Sequence, residues 1–261
     1  MNESRTEKFL IGTVGLGAGV LALLLYRLFS FLSALILKNT PAFSNAAVIM
    51  IAGSITSGFI FFVGFRFLKD IFTDSLGIKR FSPTAILASV LCGASLNVLS
   101  ISVVNLMKVP DEWIEANNES INLVKQAPFW VSFIAMYIVA PLVEELIFRG
   151  IMYSGVRRGW GIAAAIIVSS VIFGIAHGNI LQGIYAALAG AVFAFAMEMT
   201  GSVWNAIAAH TAYNLSNYLA ELLIPAVGYT GAIIIAALSF TGSIVLLITE
   251  RLLRRQKKKE E

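Results

Sequence analysis

The sequence predicts an all-α protein that crosses a membrane many times. Hydrophobic residues make up 58% of the 261 residues and charged residues only 13%, whereas globular domains carry about 25% charged residues. The mean hydropathy is +0.83. Several apolar stretches reach the roughly 20 residues that a helix needs to cross a bilayer. We therefore expect a single membrane domain, residues 1–261, with about eight transmembrane helices around a polar cavity.

The eight apolar stretches give the expected helices in chain order. They lie near Phe9 to Leu37, Ala46 to Phe65, Pro83 to Met107, Phe129 to Phe148, Gly161 to Ala176, Leu181 to Met199, Val203 to Leu223 and Val227 to Thr249. The first stretch is too long for the core of a signal peptide and is interpreted as a retained anchor. Cys92 in the third is interpreted as a small buried hydrophobe. Residues 108–127 are either a short helix on the outer surface or a solvated loop.

The distribution of Lys and Arg predicts the orientation, because short cytoplasmic loops are enriched in these residues. With both termini in the cytoplasm, fifteen of the 19 positive residues fall on the cytoplasmic side and three on the outer side. This count places Arg149 on the cytoplasmic side and leaves Arg27 inside the first stretch. Residues 250–261 form a basic cytoplasmic tail. Short loops and the lack of a soluble domain favour a prokaryotic plasma membrane.

Three charged residues stand close together in the fourth apolar stretch. Glu144 and Glu145 are adjacent, and Arg149 follows four residues after the second glutamate. A charge at bilayer depth costs roughly 2.5–3.5 kcal/mol or more, so such residues are rare and suggest a functional site. Glu145 and Arg149 share one helical face and are expected to form an ion pair, which leaves Glu144 free to accept a proton. A purely structural cluster of the three charges is the alternative.

The two histidines of the chain also lie in or beside apolar segments. His177 has Phe173 four residues before it, and His210 has Asn214 four residues after it. A single histidine in an apolar helix is usually structural, but both histidines together with the charged cluster favour hydrolytic chemistry. Glu144 is the candidate general base. His210 and Asn214 are candidate donors to an oxyanion, His177 could hold the attacking water or protonate the leaving amine, and Phe173 is interpreted as a cavity wall.

These residues resemble the motifs of the CAAX protease and bacteriocin-processing (CPBP, or Abi) family, which includes the Ras-converting type of prenyl-protein endopeptidase. The motifs appear in order as residues 144–149 (EELIFR), 173–177 (FGIAH) and 210–214 (HTAYN). The resemblance covers about residues 128–220, the expected catalytic core. It implies an intramembrane endopeptidase in which Glu144 and His177 activate a water and His210 and Asn214 form the oxyanion site. Glu145 and Arg149 would support them.

The expected boundaries leave a geometric problem. At about 1.5 Å per residue, they place His177 near the outer end of its helix and His210 about 10 Å from the inner surface. Both histidines cannot then reach Glu144 from straight, upright helices. We expect the fourth helix to continue past Arg149 toward Gly155, and the fifth helix to be tilted or displaced.

Other functions remain open at this point. A proton-coupled transporter would also place Glu and His in the membrane, although transporters often contain internal repeats. A non-catalytic bacteriocin-immunity or scaffold protein would need the polar cluster only for folding. We expect no cofactor, with zinc as a minor alternative because no HExxH helix is present. The expected partners are membrane lipids and a peptide or lipidated protein, with no nucleic acid, and the oligomeric state is open.

Overall fold

The computed structural model describes residues 4–40, 45–67 and 82–260. Within these ranges the chain forms helices and no strands. We number the helices α1 (Arg5–Leu37), α2 (Ala46–Phe67), α3 (Pro83–Leu106), α4 (Asp111–Lys125), α5 (Phe129–Ala176), α6 (Ile180–Thr200), α7 (Val203–Leu215) and α8 (Asn217–Glu260). Five of them, α1, α3, α5, α6 and α8, are long and apolar enough to span a bilayer. The protein is a polytopic all-α membrane protein.

Helix α5 is a hairpin that reverses direction at Gly161. This residue has φ 87° and ψ 176°, outside the helical region, and φ in this range is readily adopted only by glycine. The rings of Phe148 and Phe173 lie 4.9 Å apart, whereas about 25 residues of straight helix would separate them by about 37 Å. The first arm, residues 129–160, therefore packs against the second arm, residues 162–176.

Helix α8 reverses in the same way at Gly228, where φ is 70°. Asn217 before the reversal and Ser239 after it both contact α3. Asn97 donates to Asn217 over 3.1 Å, and Ser95 donates to Ser239 over 2.8 Å. The two arms therefore lie side by side along α3.

The two reversals divide the described chain into eight apolar segments, if α7 is counted with the first arm of α8. This arrangement agrees with the expected order of helices, but the number of bilayer crossings stays a prediction. One expected boundary is wrong. The break placed between Leu223 and Val227 occurs at Gly228, and a further break follows Leu215. The basic residues 250–260 continue α8 as helix.

Local signals explain several helix ends. The Ser82 side chain accepts a hydrogen bond from the Ala85 amide, and Pro83 occupies the first turn of α3. The Asn179 side chain accepts from the Gln182 amide at the start of α6. Such caps satisfy backbone amides that have no partner within the helix. Residues 111–125 form helix α4, so the helical interpretation of this connection is confirmed and the loop is excluded.

Helix α1 packs closely along the first arm of α5 because both helices carry glycines at the contact. A Cβ on Gly15 would lie 2.4 Å from the Cα of Gly155, and a Cβ on Gly19 would lie 2.4 Å from the Met152 side chain. Small residues allow helix backbones to approach in a membrane. This contact fixes the position along the helix axis of the α1 turns that follow Gly19, relative to the first arm of α5.

An ion-pair cluster around the nearly buried Glu198 carboxylate joins α5, α6 and α8 near the Gly161 end of the hairpin. Glu198 accepts two hydrogen bonds from Arg157, at 2.6 and 3.0 Å, and one from the Tyr153 hydroxyl at 2.7 Å. Arg251 lies 3.3 Å from the same carboxylate. These arginines belong to the side that the charge distribution assigns to the cytoplasm. That orientation stays a prediction, and Lys69, Lys79 and Arg80, which it also uses, lie outside the described residues.

Candidate active site

The hairpin of α5 brings Glu144 and His177 to the same height. The first arm continues past Arg149 and through Gly155, as expected. Glu144 is then about 25 Å before the reversal and His177 about 24 Å after it, at 1.5 Å per residue. Both side chains line one cavity of about 140 Å³. The remaining lining residues are Leu23, Tyr26, Arg27, Ile147, Phe148, Phe173, Ala176 and Gln182.

The two glutamates point in different directions. The Glu145 side chain is fully buried, whereas that of Glu144 is 22% exposed and faces the cavity. Two π-helical segments, Ala135–Val139 and Leu146–Tyr153, flank this short stretch. Such segments are rare, and they frequently occur at functional sites. They also change the angles between side chains relative to a regular α-helix.

Glu145 connects Arg149 to His210. Its Oε1 atom lies 3.1 Å from Arg149 Nη1 and 2.9 Å from His210 Nδ1. The ion pair expected from the spacing of Glu145 and Arg149 is therefore present. Because a carboxylate only accepts hydrogen bonds here, His210 Nδ1 carries a proton. The other nitrogen, His210 Nε2, lies 3.8 Å from Glu144 Oε2, which is too long for a direct hydrogen bond.

Arg149 lies in the protein core, not in a cytoplasmic loop. The assignment of this residue to the cytoplasmic charge count is wrong, because its side chain is 0% exposed. Its guanidinium carbon lies 4.7 Å from the centre of the Phe173 ring and 5.6 Å from that of Phe193. Among the described residues, Nε and Nη2 of Arg149 have no hydrogen-bond partner. Cation–π contacts with the two rings therefore take part in stabilising this buried charge.

Phe173 and Phe193 also fix the histidines. Phe173 contacts His177 and His210 edge-on, with ring centroids 4.7 and 5.7 Å apart. Phe193 stacks on His210 at 4.8 Å and an interplanar angle of 18°. His177 Nδ1 donates to the Phe173 carbonyl oxygen over 2.8 Å. In the neutral ring this leaves a lone pair on His177 Nε2.

Asn214 does not line the cavity. Its side-chain amide donates to the Met136 carbonyl oxygen over 3.0 Å, so it connects α7 to the first arm of α5. The four candidate catalytic residues are thus brought together only in part. Glu144 and His177 share the cavity, His210 approaches Glu144, and Asn214 is engaged elsewhere.

Comparisons with known proteins agree with the motifs. Residues 126–216 match the family model described as type II CAAX prenyl endopeptidase Rce1-like. This region therefore resembles an Rce1-like domain. One curated relative, named "Putative membrane peptidase YdiL", comes from Bacillus subtilis (strain 168). It is 32% identical over 102 residues, which are 39% of this chain and 41% of the relative, so the match spans less than half of that protein. No solved structure matches the chain significantly.

The region that matches this family model contains all the residues that the motifs single out, but it does not contain the whole cavity. Tyr26 and Arg27 of α1 line the same cavity and precede the domain by about a hundred residues. Arg27 was counted among the positive residues of the sequence but was given no functional role. Its signal was a single positive charge inside an apolar helix. Among the described residues, no group of three His, Cys, Asp or Glu side chains is arranged to hold a metal ion.

Proposed function

We propose that the protein is an intramembrane endopeptidase that hydrolyses a peptide bond of a membrane-associated peptide or protein. The observation that carries this proposal is the shared cavity of Glu144 and His177 beside the Glu145–His210 hydrogen bond. The Rce1-like domain supports a CAAX-type protease in general terms, and so does the printed name of the Bacillus relative. Both matches cover less than half of the chain, so the activity of the whole protein is part of the proposal.

In the proposed reaction, a water molecule lies between Glu144 and His177. Glu144 takes one proton from the water, and the lone pair on His177 Nε2 accepts a hydrogen bond that holds the water in place. The water oxygen then forms a bond to the peptide carbonyl carbon, and the carbonyl oxygen becomes negatively charged. When the C–N bond breaks, the proton held by Glu144 passes to the leaving amine. A general base of this kind contributes about 10² to 10⁴ in rate.

His210 and Asn214 would stabilise the oxyanion in this mechanism. His210 Nδ1 already donates to Glu145, so a second donor on Nε2 requires the imidazolium form, with Glu145 as its counter-ion. Asn214 would have to exchange its hydrogen bond with Met136 for one to the substrate. Each such donor is worth about 10² to 10³ in turnover. These roles rest on the resemblance of residues 210–214 to the family motif.

The proposal also includes a class of substrate. The description of the matching family names CAAX prenyl endopeptidases, which supports a peptide or a lipidated protein as substrate and membrane lipids as the surroundings. The proposed substrate class includes a prenylated C-terminal sequence, a leader peptide and a signalling peptide. The plasma membrane and the cytoplasmic position of both termini are further parts of the proposal.

The test is a comparison of wild-type protein with Glu144→Gln. Peptides that accumulate in cells producing the variant are isolated, and their cleavage by purified wild-type protein in liposomes is measured with and without a strong chelator. We expect cleavage by the wild type, a loss of at least about 10²-fold in Glu144→Gln, and the same rate with the chelator. Equal rates in both proteins would contradict the proposal. A loss with the chelator would instead support zinc chemistry.

A further inference from the structure

Among the described residues, Arg27 is the one Lys or Arg that lines the candidate cavity. It lies on α1, outside the residues 126–216 that match the Rce1-like family. Its Nη2 atom donates to the carbonyl oxygen of Ala176, at the end of the second arm of α5. His177 follows directly in the chain, so the guanidinium lies beside one of the two residues proposed to hold the water.

The position of Arg27 needs an explanation, because a charge within an apolar helix is unfavourable and is usually functional. An arginine near a helix end can extend along the helix and place its charge in interfacial water. Arg27 is exposed overall, but its guanidinium contacts the end of α5 and the residue lines the cavity. Helix carbonyls at a C-terminus attract a cation, which accounts for the contact with Ala176.

This contact uses only part of the binding capacity of Arg27. A guanidinium has five N–H donors, and only the Nη2 group of Arg27 donates to the Ala176 carbonyl oxygen. Among the described residues, no Asp or Glu lies within 4.0 Å of Arg27. The cavity thus has a carboxylate, Glu144, in one part of its wall and a guanidinium without a partner carboxylate in another.

We propose that Arg27 binds a carboxylate group of the substrate. This inference rests on the proposed peptidase function and adds a substrate requirement to it. The planar guanidinium matches a carboxylate through two parallel hydrogen bonds. Glu144 repels a second negative charge, so the anionic group of the peptide lies at the Arg27 end and the scissile bond lies toward Glu144. Arg27 therefore sets the direction in which the peptide enters.

The size of the cavity is consistent with such a group. A volume of about 140 Å³ is well above the roughly 10–15 Å³ that a single water needs on this measure. The cavity therefore has room for a carboxylate together with the attacking water. Two sources supply the same chemistry: the free C-terminal carboxylate of a peptide, and the side chain of an Asp or Glu near the scissile bond.

The experiment uses the full-length protein in liposomes and synthetic versions of a peptide that accumulates in Glu144→Gln cells. One pair of peptides differs only in a C-terminal acid or amide, and the other pair differs only in Asp or Asn near the cleaved bond. Each peptide is tested with the wild type, Arg27→Gln, Arg27→Lys and Lys38→Gln. The last variant removes a positive charge at the end of the same helix, from a residue that does not line the cavity.

In one of the two pairs, we expect the wild type to cleave the acidic peptide about 10- to 100-fold more efficiently than the neutral peptide. The pair that differs identifies the source of the carboxylate. Arg27→Gln should lose this preference through a higher KM at nearly unchanged kcat, Arg27→Lys should retain part of it, and Lys38→Gln should retain all of it.

Two outcomes overturn the inference while leaving the peptidase proposal intact. In one, the wild type cleaves acidic and neutral peptides equally well, whereas Glu144→Gln cleaves neither. In the other, Arg27→Gln loses the same factor on every peptide, which indicates a purely structural role at the end of α5. If wild-type protein and Glu144→Gln cleave all peptides equally, the peptidase proposal and this inference both fail.

Discussion

Gly190→Ala should slow peptide cleavage although it replaces no residue of the candidate cavity. Gly190 is a buried residue of α6 that faces the Arg149 side chain. A Cβ at this position would lie 2.6 Å from Arg149 Nη2 and 3.0 Å from Cδ1 of Phe173. Ordinary contacts of a Cβ begin at 3.4 Å. The guanidinium would therefore have to move by about 0.8 Å, because the close-packed core has no free space for the added methyl group.

This movement reaches the proposed chemistry through hydrogen bonds. Arg149 holds Glu145, and Glu145 holds His210. A misplacement of about 1 Å can lower a catalysed rate by about 10²-fold, even when its cause lies away from the reacting atoms. We expect Gly190→Ala to lower kcat by about 10- to 100-fold, and overpacking to lower the free energy of unfolding by about 1–3 kcal/mol.

The assay measures kcat on a peptide from Glu144→Gln cells, together with thermal unfolding in detergent, so that rates refer to folded protein. Gly17→Ala is the matched control, because a Cβ on this α1 glycine would meet nothing within 4 Å. A second comparison uses the Arg149→Lys background. Lysine lacks the Nη2 atom that the methyl group approaches, so Gly190→Ala should reduce kcat by a smaller factor there.

Two results would refute this reasoning. One is an unchanged kcat in a fully folded Gly190→Ala protein. The other is an equal loss in the wild-type and Arg149→Lys backgrounds, because additive effects indicate that the methyl group does not act through the guanidinium.

Further predictions concern stability. Glu145→Gln should lower the free energy of unfolding by about 3–5 kcal/mol, because Arg149 then lacks its buried counter-charge. Adding Arg149→Met should restore much of the melting temperature but not the cleavage rate. A melting temperature that does not recover in the double variant would argue against a charge effect. Gly161→Ala should destabilise the protein by about 1–3 kcal/mol in chemical unfolding, because φ 87° and ψ 176° is a conformation that only glycine adopts readily. A Cβ would meet no atom within 4 Å, so the cost comes from the backbone alone. An unchanged midpoint would show that this turn tolerates a side chain.

Much of the fold could be predicted because a bilayer imposes strong limits on helix length and composition. The reversals at Gly161 and Gly228 were predicted only as gaps before the stretches that begin at Gly161 and Val227, and not as turns at particular glycines. The chain has 21 glycines, and nothing local distinguishes Gly161 and Gly228, which adopt positive φ, from Gly15 and Gly155, which allow two helices to touch. The difference depends on contacts between helices that are distant in sequence.

The candidate site was predictable where it depends on local spacing. The ion pair of Glu145 and Arg149 follows from their four-residue separation, and the common cavity of Glu144 and His177 agrees with the motifs. The burial of Arg149 was missed because positive residues usually lie in loops. The bond between Asn214 and the Met136 carbonyl was also missed, because a backbone acceptor has no signature in the sequence.

The four-residue spacing of Glu145 and Arg149 also affects how the protein is made. A nascent helix enters the lipid before the later helices have been synthesised, and an isolated charge opposes that entry. Glu145 and Arg149 lie within one turn of each other on one segment, so they can neutralise each other during insertion, before α6 and α7 arrive. This charged part of the first arm of α5 thus brings its own counter-charge into the bilayer, and His210 joins an acid that is already oriented.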